Sequence, residues 1–285
     1  MNVSNSLLRL FSLLPLPVVH MLGALLGLLS LLRGRHRQVI AGNLRQAGLY
    51  SPILLIQSAM ELGKGAAELL PIWLRPLDEV IGWIKEVEGM EHVETAIGRG
   101  RGFIMLSPHL GCLELVGLFF AARMPTTALY RRPRQDWVHE LMQAGRNRGY
   151  GKAVEPNLGG VRALLTALRR NEAILILPDQ RANKGEGAWA HFFGRPAYMP
   201  TLFYRLAASS GAPGLLIYCE RLSWGRGYRL VISALPSLPA DTEPAMRVVN
   251  RAMEDAVHRL PAQYLWTYRF DRRKRDPAAP VDDQA

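Results

Sequence analysis

Residues 106–114 read Leu-Ser-Pro-His-Leu-Gly-Cys-Leu-Glu, and this stretch marks the point where a buried strand is expected to turn into a helix. The preceding run, Gly102–Leu106, is short, apolar and bounded by Gly and by Ser-Pro, which predicts a buried strand. After it, apolar residues recur at helical spacing from Leu113 to Phe120. The other faces of this segment are also apolar, so the predicted helix is buried on nearly all sides.

The same stretch places a histidine and a carboxylate, His109 and Glu114, five positions apart. In a regular helix, side chains five apart point about 140° away from each other, so these two can meet only across a bent turn. Gly111 between them permits such a bend. A histidine oriented by a carboxylate suits the removal of a proton from a hydroxyl. The alternatives are that His109 only caps or packs at the turn, and that Glu114 is only an acidic residue in the first turn of a helix, where the helix dipole favours a negative charge.

Composition limits the class of protein. The chain has 285 residues, of which 49% are hydrophobic, enough for one large α/β domain and a small appendage. Its formal net charge of +11 favours an anionic partner: nucleic acid, an anionic membrane or an acidic protein. The two cysteines, Cys112 and Cys219, lie in apolar surroundings, which indicates a reducing compartment rather than a disulfide framework. With no HExxH motif and no close His/Asp cluster, no metal site is predicted.

The N-terminus favours a membrane among these partners. Between Leu10 and Leu32 there is no Asp, Glu, Lys or Arg, and only His20 can titrate. Prolines at 15 and 17 interrupt the first part, so the best helix is Val18–Leu32, somewhat short for the roughly 20 residues that cross a bilayer. We therefore expect residues 1–36 to anchor the chain, either by spanning the bilayer or by lying in one leaflet.

A secretory signal peptide is the alternative for this segment. It is disfavoured because the apolar stretch is long and no small-residue cleavage site follows. Three arginines, Arg33, Arg35 and Arg37, come next. They favour a cytoplasmic position for the rest of the chain.

Strand and helix patterns alternate through residues 37–275, which we expect to form one domain. Such alternation predicts a mostly parallel α/β sheet with helices on both faces. A helix opened by Ser51-Pro52 is expected to stop at Pro71, residues 181–190 are expected to form a loop, and the Pro-, Ala- and Asp-rich residues 276–285 to be disordered. Strands are predicted at 83–88, 102–106, 126–130, 173–177, 214–219 and 228–232.

Two of the predicted strands end in polar sequences. Ser107-Pro108-His109 follows one, and Pro178-Asp179-Gln180-Arg181 follows another. Functional sites in parallel α/β sheets collect beyond the carboxyl ends of the strands. We therefore expect both segments to face one cleft.

These segments resemble a known family. His109–Glu114 resembles the H-x4-D/E motif of glycerolipid-type acyltransferases, a motif that is weak by itself. An ordered set of further blocks resembles the late acyltransferases of lipid A biosynthesis, the lauroyl/myristoyl transferase family, over about Arg37 to Arg273. The blocks are Asn43-Leu44, Tyr130-Arg131, Gly145–Arg148, Pro178–Gln180 and Tyr264–Phe270. The resemblance implies a glycerolipid acyltransferase-like α/β fold with an N-terminal apolar membrane helix.

The resemblance also implies an activity: transfer of a fatty acyl group from acyl carrier protein to a hydroxyl of a lipid A precursor, at the cytoplasmic face of the inner membrane. The implied partners are acyl carrier protein, an anionic glycolipid and the membrane, with acyl carrier protein bringing the co-substrate and no cofactor required. His109 would be the general base and Glu114 its orienting partner. Transfer would be direct, without an acyl-enzyme.

Four further residues gain expected roles from the same resemblance. Arg146 is a candidate donor to the thioester oxygen, together with backbone N–H groups after Gly111. Arg148 and Arg131 are candidates for phosphate or sugar groups, because arginine binds phosphate bidentately. Asp179 is a candidate for binding a polar headgroup or orienting an arginine. Each has an ordinary alternative as surface charge or as a turn aspartate.

Other functions stay open. A related enzyme could acylate another glycolipid, such as a phosphatidylinositol mannoside, or glycerol phosphate. The fold could also serve a non-enzymatic basic membrane-binding protein. Nucleic-acid binding fits the charge, but the aromatic residues are few and are not interleaved with the basic ones, so we expect no nucleic acid partner.

Overall fold

The computed structural model describes residues 3–268, so the predicted disordered tail lies outside the described residues. Its centre is a seven-stranded sheet in the order β1-β9-β8-β2-β5-β3-β4. All neighbouring strands in this sheet are parallel except β8 and β9, which are antiparallel. The strands are β1 (Ile84–Glu88), β2 (Phe103–Leu106), β3 (Thr126–Leu129), β4 (Gly151–Val154), β5 (Ala173–Ile176), β6 (Gly187–Phe192), β7 (Arg195–Pro200), β8 (Gly214–Arg221) and β9 (Tyr228–Ala234).

Eleven helices in the described part of the chain surround the sheet. They are α1 (Val3–Ser12), α2 (Leu16–Ser30), α3 (Gly34–Gln46), α4 (Pro52–Leu74), α5 (Leu77–Ile81), α6 (Met90–Gly98), α7 (Leu113–Ala121), α8 (Asp136–Arg146), α9 (Leu158–Arg169), α10 (Leu202–Ser210) and α11 (Thr242–Arg259). Two hydrophobic clusters, one on each face of the central strands, form the core. The predicted α/β fold with a mostly parallel sheet is confirmed.

The burial of the central strands accounts for the apolar run that precedes His109. Every residue of β2 and of β5 is buried, so the continuous apolar runs are those of strands covered on both faces. The two strands pair directly, Leu106 beside Ile176 at their carboxyl ends. Seven of the nine residues of α7 are buried, as the apolar character of all its faces predicted.

Three sequence-based expectations need correction. Helix α4 continues through Pro71 to Leu74, because its last turn buries Ile72 and Trp73 in the core, and this packing outweighs the hydrogen bond that proline removes. The segment expected to be a loop contains the start of β6, which pairs with β7 as an antiparallel hairpin. Strand β4 was not predicted at all, since its Gly-Lys-Ala-Val sequence is short and half-buried.

Helix α2 packs very closely against α4. A Cβ atom at Gly27 would lie 2.0 Å from the Ala59 carbonyl oxygen, and one at Gly63 would lie 1.9 Å from the Gly23 oxygen. Only glycine allows the two backbones to approach this closely. The opposite side of α2 is exposed and apolar, with Met21, Leu25 and Leu29 each at least 50% accessible.

Within residues 3–268, no single helix combines the length and the apolar character needed to cross a bilayer. Helices α2 and α3 pass that test only as a pair, and they are bent by 98° at the break between them.

Candidate active site

The polar segments that follow β2 and β5 meet at the carboxyl edge of the sheet, as expected. The Asp179 carboxylate accepts a hydrogen bond from the backbone N–H of His109 through Oδ2, at 2.7 Å. Its Oδ1 lies 2.7 Å from His109 Nδ1. Asp179 is buried, whereas the His109 side chain is 20% exposed. A buried carboxylate therefore holds both the backbone and the ring of a histidine that faces the cleft.

The partners of His109 define its protonation pattern. A carboxylate only accepts hydrogen bonds, so in the neutral ring this contact favours the tautomer with the proton on Nδ1 and the lone pair on Nε2. The side-chain amide nitrogen of Gln180 lies 3.0 Å from Nε2 and donates to it. Asp179 is also hydrogen-bonded to Tyr264, whose hydroxyl pKa is raised well above its usual value by burial and by the nearby carboxylate charge.

Glu114 does not take the expected position beside His109. Its carboxylate accepts hydrogen bonds from Arg146, through Nε at 2.9 Å and through Nη2, and from Trp73 Nε1 at 3.0 Å. The turn explains this: Gly111 has a positive φ of 66° and packs on the Cys219 carbonyl oxygen, which also accepts the Cys112 N–H. The first turn of α7 therefore presents Glu114 to α4 and α8, away from the histidine ring.

Glu114 and Arg146 stabilise each other's charge. Burial would raise the pKa of Glu114, but the charge and hydrogen bonds of Arg146 outweigh it and hold the pKa below its usual value. Burial would likewise lower the pKa of Arg146, and the Glu114 carboxylate raises it instead. Both groups are therefore charged near neutral pH, and a two-point contact fixes the plane of the guanidinium.

Arg148 does not line the cavity beside His109, and its guanidinium binds backbone carbonyls instead. Its Nε donates to the Gly145 carbonyl, its Nη1 to the Arg75 carbonyl and its Nη2 to the Ile72 carbonyl, at 2.6–2.7 Å. These contacts close the carboxyl end of α4 and tie it to α8. Burial lowers the pKa of this arginine from its usual value. The sequence alone could not show that Arg148 and Arg146, two positions apart, make such different contacts.

A cavity of about 1080 Å³ opens beside His109. This volume is at the upper limit of ordinary ligand pockets. Polar side chains from His109, Arg146 and Gln180 reach its wall, and Arg131 lines another part. Most of the remaining lining is apolar, and α7, α9 and α10 contribute Leu118, Leu165, Leu202 and Leu206 to it.

The backbone N–H groups of the turn are largely taken. His109 N–H binds Asp179, Gly111 N–H binds the Gln263 carbonyl and Cys112 N–H binds the Cys219 carbonyl. Arg146 adds a charged hydrogen-bond donor to the cavity wall. Within residues 3–268, no group of three or more His, Cys, Asp or Glu side chains could hold a metal ion.

Taken together, the parallel sheet, the histidine–carboxylate pair at its carboxyl edge and the large, mainly apolar cavity define a class: an α/β protein with a candidate active site at the carboxyl ends of its strands. The chain belongs to the bacterial lipid A biosynthesis acyltransferase family, whose sequence profile matches residues 5–272. The resemblance identified from the ordered blocks is therefore confirmed.

Individual relatives agree with this assignment. A lipid A biosynthesis palmitoleoyltransferase from Escherichia coli (strain K12) is 28% identical over 264 residues, covering 90% of this chain and 85% of that protein. A lipid A biosynthesis lauroyltransferase from the same strain is 26% identical over 268 residues, covering 90% and 86%. A phosphatidylinositol mannoside acyltransferase from Mycobacterium tuberculosis (strain H37Rv) is 30% identical over 157 residues, covering 53% and 48%.

Sequence reasoning missed several contacts in this site. The pairing of Asp179 with His109, and the contribution of Gln180, were within reach, since both residues follow the strand that neighbours β2. Trp73 and Tyr264 could not be placed, because they come from α4 and from the segment after α11, far along the chain. The Asn43 and Trp266 blocks also meet, through a 2.7 Å hydrogen bond from the Asn43 amide to the Trp266 carbonyl.

Proposed function

We propose that this protein transfers a fatty acyl group from acyl carrier protein to a hydroxyl of a lipid A precursor, at the cytoplasmic face of the inner membrane. The observation that carries the proposal is the His109–Asp179 pair, whose histidine lines a large and mainly apolar cavity, in a chain of the lipid A acyltransferase family. The cavity offers apolar walls to an acyl chain, and the histidine lies where a hydroxyl can approach.

His109 acts as the general base. Its Nε2 takes the proton of the acceptor hydroxyl while the hydroxyl oxygen attacks the thioester carbonyl carbon. The C–S bond then breaks, and the imidazolium returns the proton to the departing thiolate. Asp179 holds Nδ1–H in place and stabilises the imidazolium, the role first expected of Glu114. Gln180 occupies Nε2 in the resting site and turns aside when the hydroxyl binds.

Arg146 stabilises the oxyanion that forms on the thioester oxygen. Two of its guanidinium nitrogens, Nε and Nη2, bind Glu114, which leaves Nη1 for the substrate. Glu114 thus contributes by fixing the guanidinium and keeping a buried positive charge paired. The H-x4-E motif, in this proposal, supplies the base from its first residue and orients an oxyanion donor with its last.

Replacing Arg146 by Lys tests this role. We expect kcat to fall by about 10²- to 10³-fold, the range seen when one oxyanion donor is lost. A lysine keeps the charge but cannot bind Glu114 at two points and also reach the substrate. The measurement is steady-state transfer with acyl carrier protein thioesters. Arg247→Lys, in an exposed pair with Glu243 on α11, is the matched control and should behave like the native enzyme. Unchanged kcat in Arg146→Lys would remove Arg146 from the mechanism.

The acceptor is anionic in this proposal. Basic residues in the cavity wall support this assignment. Besides Arg131, the cavity is lined by Lys152 and Arg205, which offer positive charge to phosphate or sugar groups and outnumber the one further carboxylate in the wall, Glu186. Purified protein should transfer label from acyl carrier protein thioesters to a lipid A precursor, with one chain length preferred. Mass spectrometry of lipid A from cells with and without the gene should differ by one fatty acyl group. No transfer from any chain length, with no mass difference, would refute the proposal.

A second acceptor class has one specific observation in its favour, the similarity to the phosphatidylinositol mannoside acyltransferase. That similarity covers about half of each chain, whereas the lipid A relatives match over nine-tenths of this one. Side-by-side assays with a lipid A precursor, a phosphatidylinositol mannoside and glycerol phosphate separate these acceptors. Transfer to the mannoside alone would reassign the substrate within the same chemistry.

We also propose that α1 and α2 lie within one leaflet of the membrane. Helix α2 has 15 residues and is about 22 Å long, short of the roughly 30 Å hydrocarbon core. One side packs on α4 and the other exposes apolar side chains, so the helix suits burial along the interface. Arg33, Arg35 and Arg37 are exposed just after it and can meet anionic headgroups. The exposed apolar residues of α1, α2 and the positions next to them are Leu7, Leu10, Leu13, Met21, Leu25, Leu26, Leu29 and Leu32.

The double variant Leu25→Asp/Leu29→Asp tests this placement. We expect at least a tenfold loss of sedimentation with vesicles of anionic phospholipid, because two carboxylates would enter the acyl region, each at a cost of a few kcal/mol. Ile97→Asp, an exposed apolar position on α6, is the control and should bind like the native protein. Equal sedimentation of native and double-variant protein would contradict the placement.

A further inference from the structure

A buried ion pair contacts the turn at Gly111, between His109 and Glu114. Arg221, the last residue of β8, donates to Glu68 of α4 through Nε at 2.8 Å and through Nη2 at 2.6 Å. Arg221 is 7% exposed and Glu68 is 1% exposed. Burial would raise the pKa of Glu68, but the arginine charge and the hydrogen bonds lower it to about 2. The pair is therefore ionised, and neither partner reaches the cavity.

The same guanidinium also binds the backbone of the motif. Arg221 Nη2 donates to the carbonyl oxygen of Gly111 at 2.7 Å. Gly111 is the residue with positive φ that bends the chain between His109 and Glu114. The Arg221 side chain thus links the buried Glu68 carboxylate to Gly111, where the chain bends between His109 and Glu114.

A second residue joins this support through the backbone. The Gln263 side chain accepts from the Arg221 N–H at 2.8 Å and donates to the Arg221 carbonyl at 2.9 Å. The Gln263 carbonyl in turn accepts the Gly111 N–H at 3.1 Å. Both polar backbone groups of Gly111 therefore have partners in this cluster, its carbonyl in Arg221 and its N–H in Gln263.

The residues around Arg221 leave space for its guanidinium and supply hydrogen-bond partners to Glu68. A Cβ atom at Gly65 of α4 would lie 3.0 Å from Arg221 Nη2, so glycine leaves the room that the guanidinium uses. Glu68 also accepts from the Tyr228 hydroxyl at 2.9 Å and contacts His20 of α2 at 3.2 Å. All the polar atoms of this buried carboxylate have partners, as a buried charge requires.

We propose that Arg221, held by Glu68, is a positioning residue for acyl transfer. It sets the position of the Gly111 carbonyl and thereby the geometry in which His109 faces the cleft and Glu114 holds Arg146. The inference rests on the proposed function, because it assigns these two groups to one reaction. Arg221 touches no substrate and acts only through the turn.

The competing explanation is that the pair contributes to stability alone. The two roles separate because a buried ion pair can often be replaced by apolar residues of similar size with little loss of stability, whereas removing one partner is costly. The double variant Glu68→Met/Arg221→Met removes both charges and leaves Tyr228 and His20 within 3.3 Å of each other. It also removes the donor to Gly111. Glu68→Met alone leaves Arg221 buried with a single, more distant counter-charge, the Glu61 carboxylate 3.5 Å from Nη1.

The experiment compares the full-length native enzyme with Glu68→Met, the double variant and Arg221→Lys. Melting temperature, circular dichroism, kcat and KM for the acyl carrier protein thioester are measured for each. We expect Glu68→Met to lose much of its thermal stability and the double variant to regain most of it. In the double variant kcat should stay down by about 10²-fold, the scale of a 1 Å misplacement, with KM within about threefold of native. Arg221→Lys should have a kcat between those of the double variant and the native enzyme, since an ammonium can still donate to the Gly111 carbonyl.

The matched control is Glu86→Met/Arg229→Met, an exposed Glu–Arg pair between β1 and β9, which should leave kcat unchanged. Recovery of kcat together with melting temperature in the Glu68/Arg221 double variant would overturn the positioning role. A native enzyme that transfers no acyl group to any of the acceptors would instead refute the proposed function. The two failures are therefore distinguishable.

Discussion

His109→Ala is expected to abolish acyl transfer while the protein stays folded. A neutral imidazole Nε2 is the proposed acceptor of the hydroxyl proton, and general-base catalysis contributes about 10²- to 10⁴-fold. The His109 side chain is 20% exposed and makes its contacts to Asp179 and Gln180 in the cavity wall rather than in the core, so the substitution should cost little stability.

The measurement is kcat at saturating acyl carrier protein thioester, with melting temperature recorded alongside. His92→Ala, on α6 and outside the cavity lining, is the control and should retain native kcat. A His109→Ala enzyme with more than about a tenth of native kcat would show that another group takes the proton. If His109→Ala kept that much kcat, the result would exclude His109 as the base even if the melting temperature of the variant were lowered.

Asp179→Asn is expected to have the second-largest effect, a fall in kcat of roughly 10²- to 10⁴-fold. The amide carries no charge to stabilise the imidazolium, and its N–H group can turn toward Nδ1 and favour the wrong tautomer, as in Ser-His-Asp enzymes. KM for the acyl donor should change little, because Asp179 is buried behind His109 and does not line the cavity. Asp136→Asn, an exposed aspartate at the start of α8, is the control.

A double-mutant cycle distinguishes the two carboxylates. If Glu114 acts through Arg146, Glu114→Gln combined with Arg146→Gln should be hardly slower than Arg146→Gln alone. The effects of Asp179→Asn and Glu114→Gln should instead multiply, because they act on different groups. Strong coupling between Asp179 and Glu114, with none between Glu114 and Arg146, would restore Glu114 as the partner of His109 and contradict the roles proposed from the structure.

The sheet was predictable because its central strands carry a local signal. Residues of β2 and β5 are buried on both faces, so each strand is a continuous apolar run that needs no knowledge of its neighbours. The rule that sites form at the carboxyl ends of parallel strands then brought His109 and Asp179 to one cleft. Strand β4 and the hairpin of β6 and β7 escaped prediction, because their burial depends on elements that pack on them from elsewhere in the chain.

The partners of the site residues were not predictable. Spacing along the chain suggested that Glu114 serves His109, whereas the bend at Gly111 and its packing on β8 present Glu114 to Arg146 and Trp73. Arg146 and Arg148 are two positions apart in one block, yet one lines the cavity and the other binds three backbone carbonyls. A linear pattern carries residue type and spacing but not the direction of a side chain after a turn.

The sequence by itself determined the family, the parallel α/β class and the histidine at the end of β2, since each depends on local composition or on the order of short blocks. Only the tertiary structure decided which carboxylate supports that histidine and what holds the turn in place. The physical reason is that hydrogen bonds and ion pairs join groups brought together by packing: Asp179 lies 70 positions from His109, and Arg221 lies 110 positions from Gly111.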